Sequence, residues 1–163
     1  MVDLDSAAKI VDMLKEAKNP LVIAGSGAYY SDAGAEITEL IEKAGLPVFT
    51  MAGARGLIPD THPQCFESAL AIRPGAAFMA NVSTDLVLFL GGRLSLFYIF
   101  GDIFPSAAKF IQVDIEPEEI GRNRSINLGV VSDIKALVKE VNRIIDAKKL
   151  ADEFKKQFAP WME

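Results

Sequence analysis

The sequence predicts an α/β domain in which a parallel sheet carries helices on both faces. Two observations support this. Short apolar runs at residues 21–24, 47–50, 85–90 and 109–114 are set off by Pro and Gly, the pattern of strands buried on both sides. Between them lie longer stretches whose apolar residues recur at helical spacing. Strands that alternate with helices imply right-handed crossovers and hence a parallel sheet.

Each element follows from local chemistry. Ser6 is placed to cap a first helix with Ala7, Ile10, Val11, Leu14 and Ala17 on one face. Leu21-Val22-Ile23-Ala24 is the first strand, and it breaks into the turn Gly25-Ser26-Gly27. Ser31 then caps a helix with Ala33, Ile37, Leu40, Ile41 and Ala44 inward, which Gly45 stops. Pro47-Val48-Phe49-Thr50 is a second strand, and residues 51–63, with two Gly and two Pro, read as irregular. Residues 64–71 are ambiguous and leave room for a short strand, whereas 74–81 read as helical. Asp85-Leu86-Val87-Leu88-Phe89-Leu90 is the clearest strand and ends in Gly91-Gly92-Arg93. Residues 109–114 form another strand, 117–121 a helical turn and 127–131 a last strand. Ser132 caps a final long helix with Ile134, Leu137, Val138, Val141, Ile144 and Ile145 inward.

At 163 residues, 50% apolar and 24% charged, the chain suits one domain with a sizeable core. The net charge of −5, with no basic block, argues against nucleic acid as a partner. A single cysteine, Cys65, excludes an internal disulfide and fits a reducing compartment. Between Gln64 and Phe66 it reads as core filling rather than as a nucleophile. No apolar run approaches the length of a membrane span and no signal-peptide pattern precedes Asp5, so the expected location is the cytoplasm.

Ligands of parallel α/β sheets sit beyond the carboxyl ends of the strands, where strand order reverses. Three loops leave carboxyl ends here with suitable chemistry: Gly25-Ser26-Gly27, Gly91-Gly92-Arg93 and Asp114-Ile115-Glu116. Glycine lets a ligand approach backbone near a helix start, where amides favour phosphate, and Arg offers a diphosphate a fork of donors. Asp114, at a strand end, can accept hydrogen bonds from ribose hydroxyls. A full dinucleotide fingerprint has a third glycine where Tyr30 stands, so the first turn also reads as a simple tight connection. Arg93 likewise has an alternative as the partner of a nearby carboxylate, and Asp114 as the cap of the turn beginning at Glu116. Together the three loops favour a nucleotide.

Longer segments carry a resemblance. Residues 19–27 are followed by Gly45-Leu46-Pro47-Val48-Phe49-Thr50, by Arg55-Gly56-Leu57-Ile58-Pro59-Asp60-Thr61-His62-Pro63 and by residues 85–93. Next comes Phe110-Ile111-Gln112-Val113-Asp114-Ile115-Glu116-Pro117-Glu118-Glu119-Ile120-Gly121-Arg122-Asn123-Arg124. This pattern resembles the central domain of thiamine diphosphate-dependent enzymes of the acetolactate synthase, oxalyl-CoA decarboxylase and benzaldehyde lyase group. The match spans residues 6–147, and 111–124 is its most specific part. The resemblance implies a doubly wound, Rossmann-like sheet of about six parallel strands, with helices on both faces. It implies residues 5–147 as the central domain and 148–163 as a helical connector to a missing C-terminal domain.

In that family the central domain does not perform the chemistry. The resemblance implies a preceding pyrimidine-binding domain with the glutamate that activates thiamine. It also implies a following diphosphate-binding domain whose Gly-Asp-Gly segment and downstream Asn hold magnesium. These residues contain neither: Gly101-Asp102 is followed by Ile103 rather than Gly, and no apolar strand leads into it. The one histidine, His62, excludes histidine metal clusters and reads as a surface loop residue, and no P-loop lysine motif occurs. The chain is therefore expected to be inactive in isolation. Its parent would be a 2-oxoacid decarboxylase or carboligase that uses thiamine diphosphate and magnesium. The contrasting expectation is a free-standing adenine-nucleotide-binding module acting through a partner protein.

Carried over residue by residue, Gly25 and Gly27 match the family's first glycine turn, with Ser26 between them, and Arg93 follows Gly92 as its arginine. Asp114 and Ile115 match ribose and adenine contacts, and Asp133 the acidic residue opening the last helix. No residue is implied as catalytic or metal-ligating. Relatives hold FAD, ADP or nothing at this place. The FAD enzymes carry Asp and Arg where this chain has Ser95 and Phe97, and a Gly-Met-His-Gly loop without counterpart in Ser68-Ala69-Leu70-Ala71. An ADP- or coenzyme A-type adenine nucleotide, or no ligand, is expected ahead of FAD.

Family members are oligomers, which implies a homo-oligomer. Phe97-Tyr98-Ile99-Phe100 with Phe104 is the expected contact surface, with ordinary core as the alternative. Leu150, Phe154, Phe158 and Trp161 make an apolar stripe on a tail helix. That stripe either folds back on its own domain or is left uncovered on a connector.

Overall fold

The computed structural model describes residues 4–66 and 75–163. Helix α1 (Leu4–Glu16) leads into β1 (Pro20–Ala24), all five residues of which are buried. The short α2 (Ser26–Tyr30) is followed by α3 (Gly34–Ala44), which ends at Gly45 in the left-handed region, φ 71°. Then come β2 (Val48–Thr50), α4 (Ala76–Ser83), β3 (Leu86–Leu90), β4 (Lys109–Asp114) and β5 (Leu128–Val131). Helices α5 (Ile134–Ala147) and α6 (Ala151–Met162) close the chain. Short 3₁₀ turns occupy Ala52–Ala54, Leu96–Gly101 and Pro117–Glu119.

The strands lie in the order β2-β1-β3-β4-β5, every pair parallel. The chain thus winds outward from β1 to β2 and returns to β3 on the other side of β1. That reversal puts the switch point between β1 and β3. Among the described residues there are five strands against the six expected. An isolated parallel bridge from Cys65 to Val48 lies along the free edge of β2, with Val48 N donating to Gln64 O at 2.9 Å. The rest of the ambiguous stretch 64–71 lies outside the described residues.

Strand side chains alternate between two cores, as the pleat requires. Val22, Ala24, Leu86, Leu88, Leu90, Ile111 and Val113 face one side and are covered by apolar residues of α1, α3, α5 and α6. Leu21, Ile23, Val87, Phe89 and Phe110 face the other, under Leu94, Tyr98, Ile103 and Phe104 and against Ala77 and Ala80 of α4. On this second face the cover between β3 and β4 is an aromatic plug rather than a long helix. Tyr98 meets Phe89 edge-on at 5.8 Å between centroids and stacks on Phe104 at 5.8 Å. The Arg124 guanidinium lies over the Phe110 ring at 5.4 Å and donates to the Gly101 and Pro105 carbonyls, each at 2.8 Å.

Two of the five residues of the expected contact surface are therefore core. Tyr98 and Phe104 are buried, whereas Leu96, Phe97, Ile99 and Phe100 are exposed. The tail stripe is covered too: Phe154 and Phe158 are buried against the first core. Gln157 Nε2 donates to the Leu14, Lys15 and Ala17 carbonyls at 3.2, 3.1 and 2.5 Å, and so caps the end of α1. Trp161 Nε1 donates to Pro20 O at 2.8 Å.

Three expected serine caps are corrected. Ser6 is buried inside α1, which starts earlier, at Leu4. Ser31 closes α2, its hydroxyl donating to Ala28 O at 3.2 Å, and Ala33 precedes α3 instead. At α5 the cap is Asp133, whose Oδ2 accepts from Ala136 N at 2.8 Å, while the Ser132 hydroxyl turns to Asp133 O.

Candidate functional site

At the switch point two glycine loops interlock. Gly25 N donates to Leu90 O at 2.8 Å, Gly27 N to Gly91 O at 2.9 Å, and Gly91 N to Val113 O at 2.8 Å. A Cβ on Gly25 would stand 2.3 Å from Gly91 O and 2.6 Å from Gly92 Cα. One on Gly27 would stand 2.8 Å from Gly91 Cα, and Gly91 itself holds φ 65°. The two amides expected to be bare for phosphate are thus taken up by the neighbouring loop. What these glycines supply is close approach of β1's turn to β3's turn. Ser26 remains exposed at the start of the five-residue α2.

Beside this crossing lies a cleft of about 220 Å³ lined by Gly27, Tyr30, Ser31, Ile115, Ser132, Asp133 and Ile134. Of the predicted residues, Gly27, Ile115 and Asp133 line it, while Gly25, Ser26, Gly92, Arg93 and Asp114 do not. Ile115 is 66% exposed and so offers an apolar wall to a planar group, with Tyr30 on another side. Asp114 Oδ1 accepts from Glu116 N at 2.9 Å, which fixes the backbone that presents Ile115. Both alternatives left open by the sequence are seen, since Arg93 Nε also pairs with Glu119 Oε1 at 3.2 Å.

Tyr30, Ser31, Ser132 and Ile134 were not read from the sequence as lining a ligand site. Their signal was position alone: each adjoins a predicted loop, and only the fold brings the α2 and α5 termini together. A larger cavity, about 310 Å³, opens between Pro47, Phe49, Phe66, α4 and Trp161. Its lining is mainly apolar, and its polar side chains include Ser83 and Glu163 but no cation, so it does not suit an anion. His62 is more enclosed than a surface loop residue: its Nε2 faces Glu42 Oε1 at 3.0 Å with the ring 12% exposed. Burial raises the pKa of the Cys65 thiol, with nearby Asp60 adding to it, in keeping with packing rather than nucleophilic use. Among the described residues no three His, Cys, Asp or Glu side chains converge as a metal site. No helix among them is long and apolar enough to cross a membrane.

Among the described residues the cleft is lined by the apolar side chains of Ile115 and Ile134, by Tyr30, Ser31 and Ser132, and by one carboxylate, Asp133. Oxalyl-CoA decarboxylase of Escherichia coli (strain K12) is 41% identical over 130 residues, covering 79% of this chain and 22% of that protein. 2-Hydroxyacyl-CoA lyase 1 of Mus musculus is 32% identical over 163 residues, covering 99% of this chain and 25% of that protein. The crystal structure of benzoylformate decarboxylase from Polynucleobacter necessarius superposes with a TM-score of 0.72 at 25% identity, covering 86% of this chain and 27% of that one. The chain thus spans about a quarter of the length of the proteins it matches. The family described as thiamine pyrophosphate enzyme, central domain, matches residues 7–141, and the chain belongs to that family.

Proposed function

We propose that this chain is the scaffold and adenine-nucleotide site of a larger thiamine diphosphate-dependent 2-oxoacid decarboxylase or carboligase, and is inactive by itself. The observation that carries the reading is the cleft at the carboxyl edge, walled by Gly27, Ile115 and Asp133, with Gly27 in contact with Gly91 in the loop that continues to Arg93. Thiamine diphosphate and magnesium belong to the flanking pyrimidine- and diphosphate-binding domains of the parent. Residues 148–163 then serve both as cover for the first core and as the connector onward.

Within the cleft, an ADP- or coenzyme A-type ligand ranks ahead of FAD. Ser95 and Phe97 supply no charge beyond Arg93, and two of the matched relatives are named for coenzyme A thioesters, themselves adenine nucleotides. Leu96, Phe97, Ile99 and Phe100 support contact with another subunit of a homo-oligomer. The single partly covered thiol is consistent with a cytoplasmic setting.

Calorimetric titration of the chain with ADP, coenzyme A and FAD tests the ligand, and an assay with thiamine diphosphate, magnesium and a 2-oxoacid tests activity. Adenine-nucleotide binding without turnover is expected. Turnover by the isolated chain, or stoichiometric FAD retained through purification, would contradict it.

A further inference from the structure

The β4 loop that supplies Ile115 to the cleft also supplies Glu119 and Arg122. Glu119 is buried to 7% residual exposure, and a single oxygen, Oε1, meets two arginines: it accepts a hydrogen bond from Arg122 Nη1 at 3.1 Å and forms an ion pair with Arg93 Nε at 3.2 Å. The two arginine side chains are 75% and 63% exposed. Among the described residues neither makes another hydrogen bond or ion pair with a side chain. One buried carboxylate thus pairs with two largely exposed arginines, so the triad by itself carries one positive charge in excess.

The frame behind the pair is rigid. Gln112, buried in β4, donates Nε2 to Glu119 O at 2.7 Å and accepts from Gly121 N at 2.8 Å, which pins the loop at the glutamate and just after it. Asn123 Nδ2 donates to Leu94 O at 2.9 Å and so ties the Arg122 loop to the residue following Arg93. Glu116 and Glu118 of the same loop are exposed, where water and salt limit their reach. A surface ion pair alone does not require a carboxylate this deep or a buried glutamine to hold it.

We propose that Arg93 and Arg122 form an anion clamp, set by Glu119, that grips a phosphate of the nucleotide whose base and ribose occupy the neighbouring cleft. The proposal rests on the adenine-nucleotide reading of that cleft. It assigns the phosphate contact to a side-chain pair, because the Gly25 and Gly27 amides are already engaged. Arg122 is the residue it adds. Two guanidiniums suit the planar, multidentate recognition of a phosphate, which a single exposed Arg93 would give only in part.

The test is calorimetric titration of this chain with ADP and, separately, inorganic pyrophosphate, comparing wild type with Arg122→Ala, Arg122→Lys and the remote control Arg143→Ala. Arg122→Ala should weaken ADP about tenfold or more, the scale of one charge-assisted hydrogen bond. Arg122→Lys should recover part of that loss, Arg143→Ala should change nothing, and the ionic-strength dependence of ADP binding should flatten in Arg122→Ala. Undiminished ADP affinity in Arg122→Ala would overturn the clamp and leave the nucleotide reading standing. Pyrophosphate binding that depends on Arg122, without any ADP binding, would keep the clamp and overturn the nucleotide reading. Failure of wild type to bind either probe would overturn both.

Discussion

A Cβ on Gly25 would stand 2.3 Å from the carbonyl oxygen of Gly91, so the two turns at the switch point leave no room for a side chain between them. The obstruction is backbone, which cannot rotate aside. Gly25→Ala should therefore destabilise the domain by about 1–3 kcal/mol with no ligand present. Urea denaturation measures this. A loss under about 0.5 kcal/mol would mean that the two loops part easily and that the glycines serve a ligand instead.

Tyr98 carries a second prediction. Its ring is packed between Phe89 and Phe104, yet its hydroxyl is buried without a hydrogen-bond partner. Burial raises the phenol's pKa above its ordinary value near 10. The folded state holds the proton more tightly than the unfolded chain, so stability from this group is full below pH about 10 and falls as pH rises above it. Tyr98→Phe should be neutral or stabilising at pH about 7, because an unpartnered polar group is removed, and should lessen the alkaline loss. Urea melts of both proteins at neutral and alkaline pH test it. Strong destabilisation of Tyr98→Phe at neutral pH would reveal a partner for the hydroxyl.

The tail helix is the third. Phe158 is fully buried in the first core, and neighbouring Lys156 is exposed. Phe158→Ala should cost about 3–5 kcal/mol in chemical denaturation, while Lys156→Ala should stay within about 0.5 kcal/mol. Equal, small effects from both would mean that α6 is a detached connector with no share in the domain's stability.

Much of the fold was legible because it is written in local patterns. The runs at 85–90 and 109–114 combine β-branched and aromatic residues between breakers, and they became β3 and β4 within one residue. Gly45 stopped α3 because a left-handed residue is needed there. Capping was less legible, since a serine before a helical stretch caps only if the backbone ends there. Ser31 lost that role to an unforeseen short α2, and Ser132 to Asp133, whose longer side chain reaches Ala136 N. The site was legible loop by loop but not as an assembly. Residue types could nominate Arg93, but they could not show that Glu119, 26 positions later, would hold it together with Arg122. Nor could they show that Gln157 would close the end of α1.

The central claim, that the carboxyl-edge cleft is an adenine-nucleotide site, is tested most directly by amide chemical-shift mapping of the isotopically labelled chain titrated with ADP. The account predicts shifts concentrated at Gly27, Ser31, Ile115, Ser132 and Asp133, weakened clearly by Arg93→Ala and little changed by Arg55→Ala, whose guanidinium pairs with Asp60. Absence of shifts at millimolar ADP, or shifts centred instead on Phe49, Met79 and Trp161, would contradict it.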